Sequence, residues 1–178
     1  MRKDGVTFPK SSFLGMVKDT SLIMNKILSN KNLLKLIYYT TADWEQKPDL
    51  TSAEIKSLFE NKQISNVPKI EIDETKMNYL RISFDDFTPN VTNDFYRDSI
   101  IEVKILCHFD DWDLGDFELR PYRIAGEIDA MLDGQHLTGI GELTFIGANQ
   151  DIYDDEYGGL TLRYLAIRGH EDEVNPLV

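Results

Sequence analysis

Cysteine is almost missing from this chain of 178 residues: Cys107 is the only one. That excludes an intrachain disulfide and any zinc site built on cysteines. Histidine is nearly as scarce. His108, His136 and His170 stand far apart, and none has the H-x-x-x-H or H-E-x-x-H spacing that puts two ligands on one helix face. No stretch approaches the roughly 20 apolar residues needed to span a bilayer, so no membrane partner is expected. Residues 1–10, MRKDGVTFPK, are basic, but the apolar core of a signal peptide does not follow them. The chain is therefore expected to be intracellular at synthesis. G-x-S-x-G and the phosphate-binding P-loop are absent. The G-x-G at Gly139 and Gly141 precedes a strand, where a dinucleotide site needs it to open a helix. There is no internal repeat and no low-complexity segment.

Basic charge is short too, and unevenly so. Lys and Arg number 19 against 31 acidic residues, for a net charge of -12. Residues 1–80 carry 12 basic and 10 acidic residues, a net of +2, while residues 81–178 carry 7 and 21, a net of -14. An acidic surface repels phosphates, which disfavours sequence-specific nucleic-acid binding. It suits solubility, a basic protein partner, or a surface that DNA must pass without sticking. The acids are densest at Asp110, Asp111, Asp113 and Asp116, and again at Asp151, Asp154, Asp155 and Glu156. Carboxylate clusters can bind Ca²⁺ or support two-metal hydrolysis. The run DWDLGD at 111–116 lacks the Ca-loop spacing and its twelfth-position Glu, so solvated loops outweigh a metal site. Beside Trp112, Tyr153 and Tyr157 these loops also fit a protein contact. Cys107 lies on the apolar side of a strand pattern and reads as a buried, inert thiol. No catalytic constellation emerges, and neither an enzyme nor a cofactor is expected.

What is present is a globular composition, 42% apolar and 11% aromatic, in a length that favours one domain over 1–178. Its centre is 118–147, a helix followed directly by a strand. Ile124, Ala125, Ile128, Met131 and Leu132 share one helical face, Pro121 suits the first turn, and Gly134 fits the left-handed position after the end. Gly126, a poor helix former, points to another backbone close by. Before this unit, residues 1–16 read as an extended arm with Phe8, Phe13 and Leu14. A helix capped by Thr20 covers 20–29, with Leu22, Ile23, Ile27 and Leu28 inward. A second helical segment, 33–39, follows the interruption at Asn30 and Asn32. Residues 40–50 read as a loop. Thr51 and Glu54 form a capping box, and the helix after it buries Ile55, Leu58 and Phe59. Strands are expected at 69–72, 79–84, 100–109, 143–146 and 160–168. Residues 85–98 read as a loop or hairpin arm carrying Phe87, Phe95 and Tyr96, and 170–178 as a flexible tail. The class is α+β: a mostly antiparallel sheet with helices packed on one face, and an extended N-terminal arm.

RPYRIAGEIDAMLDG at 120–134, followed by LTGIGELTFIGANQDIYDDEYGGLTLRYLAIRG at 137–169, resembles the tail-terminator and tail-completion (head–tail joining) proteins of long-tailed bacteriophages. The likeness is a pattern of residue types, covers 79–168 well and 20–39 in general character, and does not account for 44–68. It implies subunits in a ring, usually of six, that caps the tail tube and joins tail to neck or head. The implied partners are the chain itself, the tail tube protein, a neck or head-completion protein, and genomic DNA passing through without specific binding. The implied location is the virion tail or neck, after synthesis in the host cytoplasm. On that reading Asp151, Asp154, Asp155 and Glu156 face the channel or a partner. Phe8, Phe13, Leu14, Phe87, Phe95 and Tyr96 sit on arms lent to neighbouring subunits. A neck or head-completion adaptor is the near alternative, and a metal-dependent enzyme using the acidic loops the distant one.

Overall fold

The computed structural model describes residues 12–70, 72, 75–89, 96–137 and 141–169. In chain order these form helices α1 (Ser12–Ser29) and α2 (Lys31–Tyr38), a 3₁₀ turn (Trp44–Gln46), and helix α3 (Ser52–Glu60). Strands β1 (Ile64–Ser65), β2 (Tyr79–Pro89) and β3 (Tyr96–His108) follow. A second 3₁₀ turn (Phe109–Asp111) leads into a small hairpin, β4 (Asp113–Gly115) and β5 (Glu118–Leu119). Helix α4 (Arg120–Leu132), then β6 (His136–Leu137), β7 (Gly141–Ile152) and β8 (Tyr157–Gly169), complete the fold.

The main sheet has six strands in the order β1-β2-β3-β8-β7-β6. Only β1–β2 is parallel; the other neighbours are antiparallel, so the class is α+β as the pattern implies. Strand alternation builds the core. Leu80 and Ile82, then Ile101, Val103, Ile105 and Cys107, then Leu160, Leu162, Tyr164 and Ala166 fall on one sheet face. They bury together with Ile23 and Ile27 of α1, Leu33 to Ile37 of α2, and Ile124, Ile128 and Leu132 of α4. Tyr164 Oη also donates to Asp129 Oδ1 at 3.0 Å, pinning α4 to β8. On the opposite face, Ile70, Ile72 and Met77 cover Tyr79, Leu106 and Tyr157 in a second, smaller cluster.

The polar hub of the core lies at the C-terminus of α2. Five consecutive residues of this eight-residue helix are buried, so its orphan carbonyls cannot be left to water. Arg120, 0% exposed, donates to the carbonyls of Leu36, Tyr39 and Thr41 at 2.6 to 2.9 Å, and to that of Asp111 at 2.7 Å. Asn78 adds bonds to Leu36 and Ile37, and Gln63 another to Ile37. The cation also complements the negative end of the α2 dipole.

Several sequence expectations need correction. Residues 12–16 are the first turns of α1 and not part of an extended arm, and Thr20 is mid-helix, its hydroxyl donating to Met16 O at 2.9 Å. Phe13 and Leu14 therefore lie on α1, and Phe8 lies outside the described residues. Residues 85–89 continue β2 and 96–98 begin β3, where a loop or arm was expected: pairing with β3 at Asp85↔Ile100 and Thr88↔Asp98 carries the strand through its polar residues. Phe87 is thus on β2, Tyr96 opens β3, and Phe95 is outside the described residues. No described residue of 69–72 is in a strand; the strand beside β2 is β1, five residues earlier, and β4, β5 and β6 are further short strands that were not expected. Phe109 leaves the strand for the 3₁₀ turn, and His108, on the sheet face opposite Cys107, is buried against Tyr157. Gly126 has nothing within 4 Å of where a Cβ would sit, so no backbone approaches it. The close approach is at Gly159, where a Cβ would fall 1.9 Å from the Ile105 carbonyl oxygen. The tail 170–178 and residues 138–140 lie outside the described residues.

Candidate interaction surfaces

Two acidic stretches forty residues apart in sequence meet at one end of the sheet. His108, the last residue of β3, pairs with Tyr157, the first of β8, and Ile152 at the end of β7 pairs with Gly158. Phe109 N then donates to Glu156 O at 2.8 Å, tying the 3₁₀ turn to the β7–β8 turn. Lys76 bonds to Asp110 in the middle of this end. That bond holds the Asp110 carboxyl below its usual range, and Asp111 and Glu156 are close enough to help raise the Lys76 ammonium. Asp111 is buried, which pushes its carboxyl up against the opposing pull of Arg120.

The four candidate acids do not act alike. Asp151 is half-buried on β7 and accepts from the Thr161 hydroxyl across the strand pair. Asp154 Oδ1 accepts from the backbone N–H groups of Glu156 (2.8 Å) and Tyr157 (2.7 Å), so it builds the β7–β8 turn. Asp155 and Glu156 are exposed and present their carboxylates to solvent. Among the described residues no group of three His, Cys, Asp or Glu side chains could hold a metal ion. Cys107 is buried, and burial pushes its thiol well above the ordinary range.

A second surface escaped sequence reasoning. The β4–β5 hairpin pairs Gly115 with Glu118, leaving Asp116 and Phe117 as a two-residue turn. Their φ angles are +48° and +65°, after +88° at Gly115. Two positive φ angles in a two-residue hairpin favour Asn-Gly or Asp-Gly. Asp116 fits. Phe117 occupies the glycine position, at a cost of about 1–2 kcal/mol for a left-handed L-residue. Its side chain is fully exposed, and Leu119 and Tyr122 beside it are also exposed. Phe117, Glu118, Leu119, Tyr122 and Arg123 line an open hollow of about 380 Å³. The base of the hairpin is rigid: Arg120 N donates to Trp112 O at 2.7 Å, and Trp112 Nε1 to Cys107 O at 3.2 Å. Asp113, Asp116 and Glu118 are exposed on the same hairpin. The available signal was a bulky Phe after Gly-Asp, where a hairpin turn calls for glycine.

The fold thus defines an α+β protein in which two acidic stretches meet at one end of the main sheet, followed in the chain by a hairpin that exposes Phe117. The family model of YomW matches residues 30–166, well over half of the chain, and the chain belongs to that family. It is a phage-associated family. No curated protein matches the chain. No described helix is long and apolar enough to cross a membrane.

Proposed function

We propose that this protein is a structural component of the phage virion, a non-catalytic ring that caps the end of the tail tube and joins it to the neck. The observation that carries this reading is the gathering of both acidic stretches at one sheet end in a member of a phage-associated family. The resemblance to tail-terminator and tail-completion proteins over 79–168 supplies the ring, usually of six, and its partners: the tube protein, a neck or head-completion protein, and DNA passing through. An acidic end suits such a passage, because a basic one would exchange DNA counterions for Lys and Arg and retain the genome.

The test is a phage that cannot make this protein, viewed by electron microscopy. Tails of overlong, irregular length, detached from filled heads, are the expected result. Tails of normal length that merely fail to join heads indicate a neck or head-completion adaptor. Normal, infectious particles lacking the protein overturn the reading.

A further inference from the structure

We propose that the Phe117 hairpin receives the N-terminal segment, residues 1–11, of a second copy of this chain; the choice of a second copy rests on the ring reading above. Three observations meet here. Phe117 holds a turn position that favours glycine, so the backbone bears strain to present an aromatic ring to solvent. Leu119 and Tyr122 extend that apolar surface, and the same hairpin exposes Asp113, Asp116 and Glu118, three carboxylates against the one cation, Arg123, that lines the hollow. An occupant must therefore be apolar at its centre and basic at its edges. Residues 1–11, MRKDGVTFPKS, have that composition: Val6, Phe8 and Pro9 are apolar, and Arg2, Lys3 and Lys10 against Asp4 leave a net of +2.

Subunits meeting head to tail each offer one hairpin and one segment, and the contact closes into a ring without any further surface. Phe8 against Phe117 and Tyr122 supplies an aromatic contact, and the basic residues meet the carboxylates at the rim. The charge part of the contact is exposed, so salt must weaken it.

The experiment is analytical ultracentrifugation of full-length chains. Phe117→Gly places the favoured residue in the turn, so it folds at least as well as the original and its loss of association cannot be blamed on unfolding. Arg2→Glu, Lys3→Glu and Lys10→Glu together reverse the segment. The unaltered chain is expected to associate, more weakly as salt rises, and each variant alone to associate at least tenfold more weakly. Mixed, the two variants should form one-to-one dimers, because one retains a working segment and the other a working hairpin. The proposal is overturned if the unaltered chain stays monomeric, if Phe117→Gly associates as well as the unaltered chain, or if the mixture yields no heterodimer. Its failure is separate from that of the ring reading. Particles that need the protein while Phe117→Gly still associates remove this contact alone, and normal particles without the protein remove the ring function alone.

Discussion

Two glycines on neighbouring elements carry opposite constraints. Gly126 sits on the solvent side of α4 with open space where a Cβ would go, so its only effect is to loosen the helix. Gly126→Ala is expected to raise stability by about 1 kcal/mol in chemical denaturation. Gly159 lies against the Ile105 carbonyl, and Gly159→Ala forces β3 and β8 apart, at a cost of about 1–3 kcal/mol or more. If both substitutions prove neutral, the close β3–β8 approach is misplaced. Arg120 is the other decisive residue. It is buried, with its guanidinium spent on four carbonyl oxygens from two stretches of chain, 36–41 and Asp111. Arg120→Ala leaves those acceptors and the buried Asp111 without their cation, and is expected to cost about 3–5 kcal/mol in the same measurement. Nothing local in the sequence singles out Arg120, because the α2 carbonyls it serves lie some eighty residues earlier in the chain.

Helix α4 was legible because its apolar residues repeat at 3.6: Ile124, Ile128 and Leu132 are buried, and Met131 packs at the edge. Ile128→Ala is expected to cost about 2–5 kcal/mol, while Ile128→Asp should not yield soluble protein. The capping box of α3 was equally legible, since both of its bonds are local: Thr51 N donates to Glu54 Oε2 at 2.7 Å and Glu54 N to Thr51 Oγ1 at 3.4 Å. The Thr51 backbone N–H, and then its hydroxyl, hold the Glu54 carboxyl below its usual 4.5. A carboxyl depressed in the fold stabilises above its unfolded value, and that contribution is lost as pH falls through the folded one. Stability measured against pH should fall on the acid side of 4.5, and Glu54→Gln should remove that part of the slope. Elements fixed by distant partners were not legible. β2 runs on through Asp85 and Asp86 because β3 pairs with it, and α1 begins eight residues before Thr20 in a stretch broken by Gly15 and Lys18. The β4–β5 hairpin is too short to show any period, so its sequence reads only as a solvated acidic loop.

At the scale of the whole molecule the question is what the acidic end does, and its composition could be read from the sequence while its assembly could not. Both acidic stretches were visible, but only the β3–β8 register brings them together. Asp151 and Asp154 are committed to holding the strand end and the turn, so the charge free to act on a passing polyanion sits on Asp155, Glu156 and the hairpin's Asp116. Reversing these three to Lys moves the net charge from -12 to -6, since each reversal adds two, and leaves the turn bonds intact. The unaltered protein is expected to show no retention of duplex DNA at low salt. The triple variant should bind it with a slope of log K on log salt of at most roughly -2.7, one phosphate per added lysine. Phage carrying the variant should eject DNA more slowly, because the Debye length of roughly 8 Å at physiological salt lets a wall charge reach a duplex in a narrow channel. DNA binding by the variant with unchanged ejection means that this end faces outward, toward a basic neck partner, and the channel is lined by some other surface.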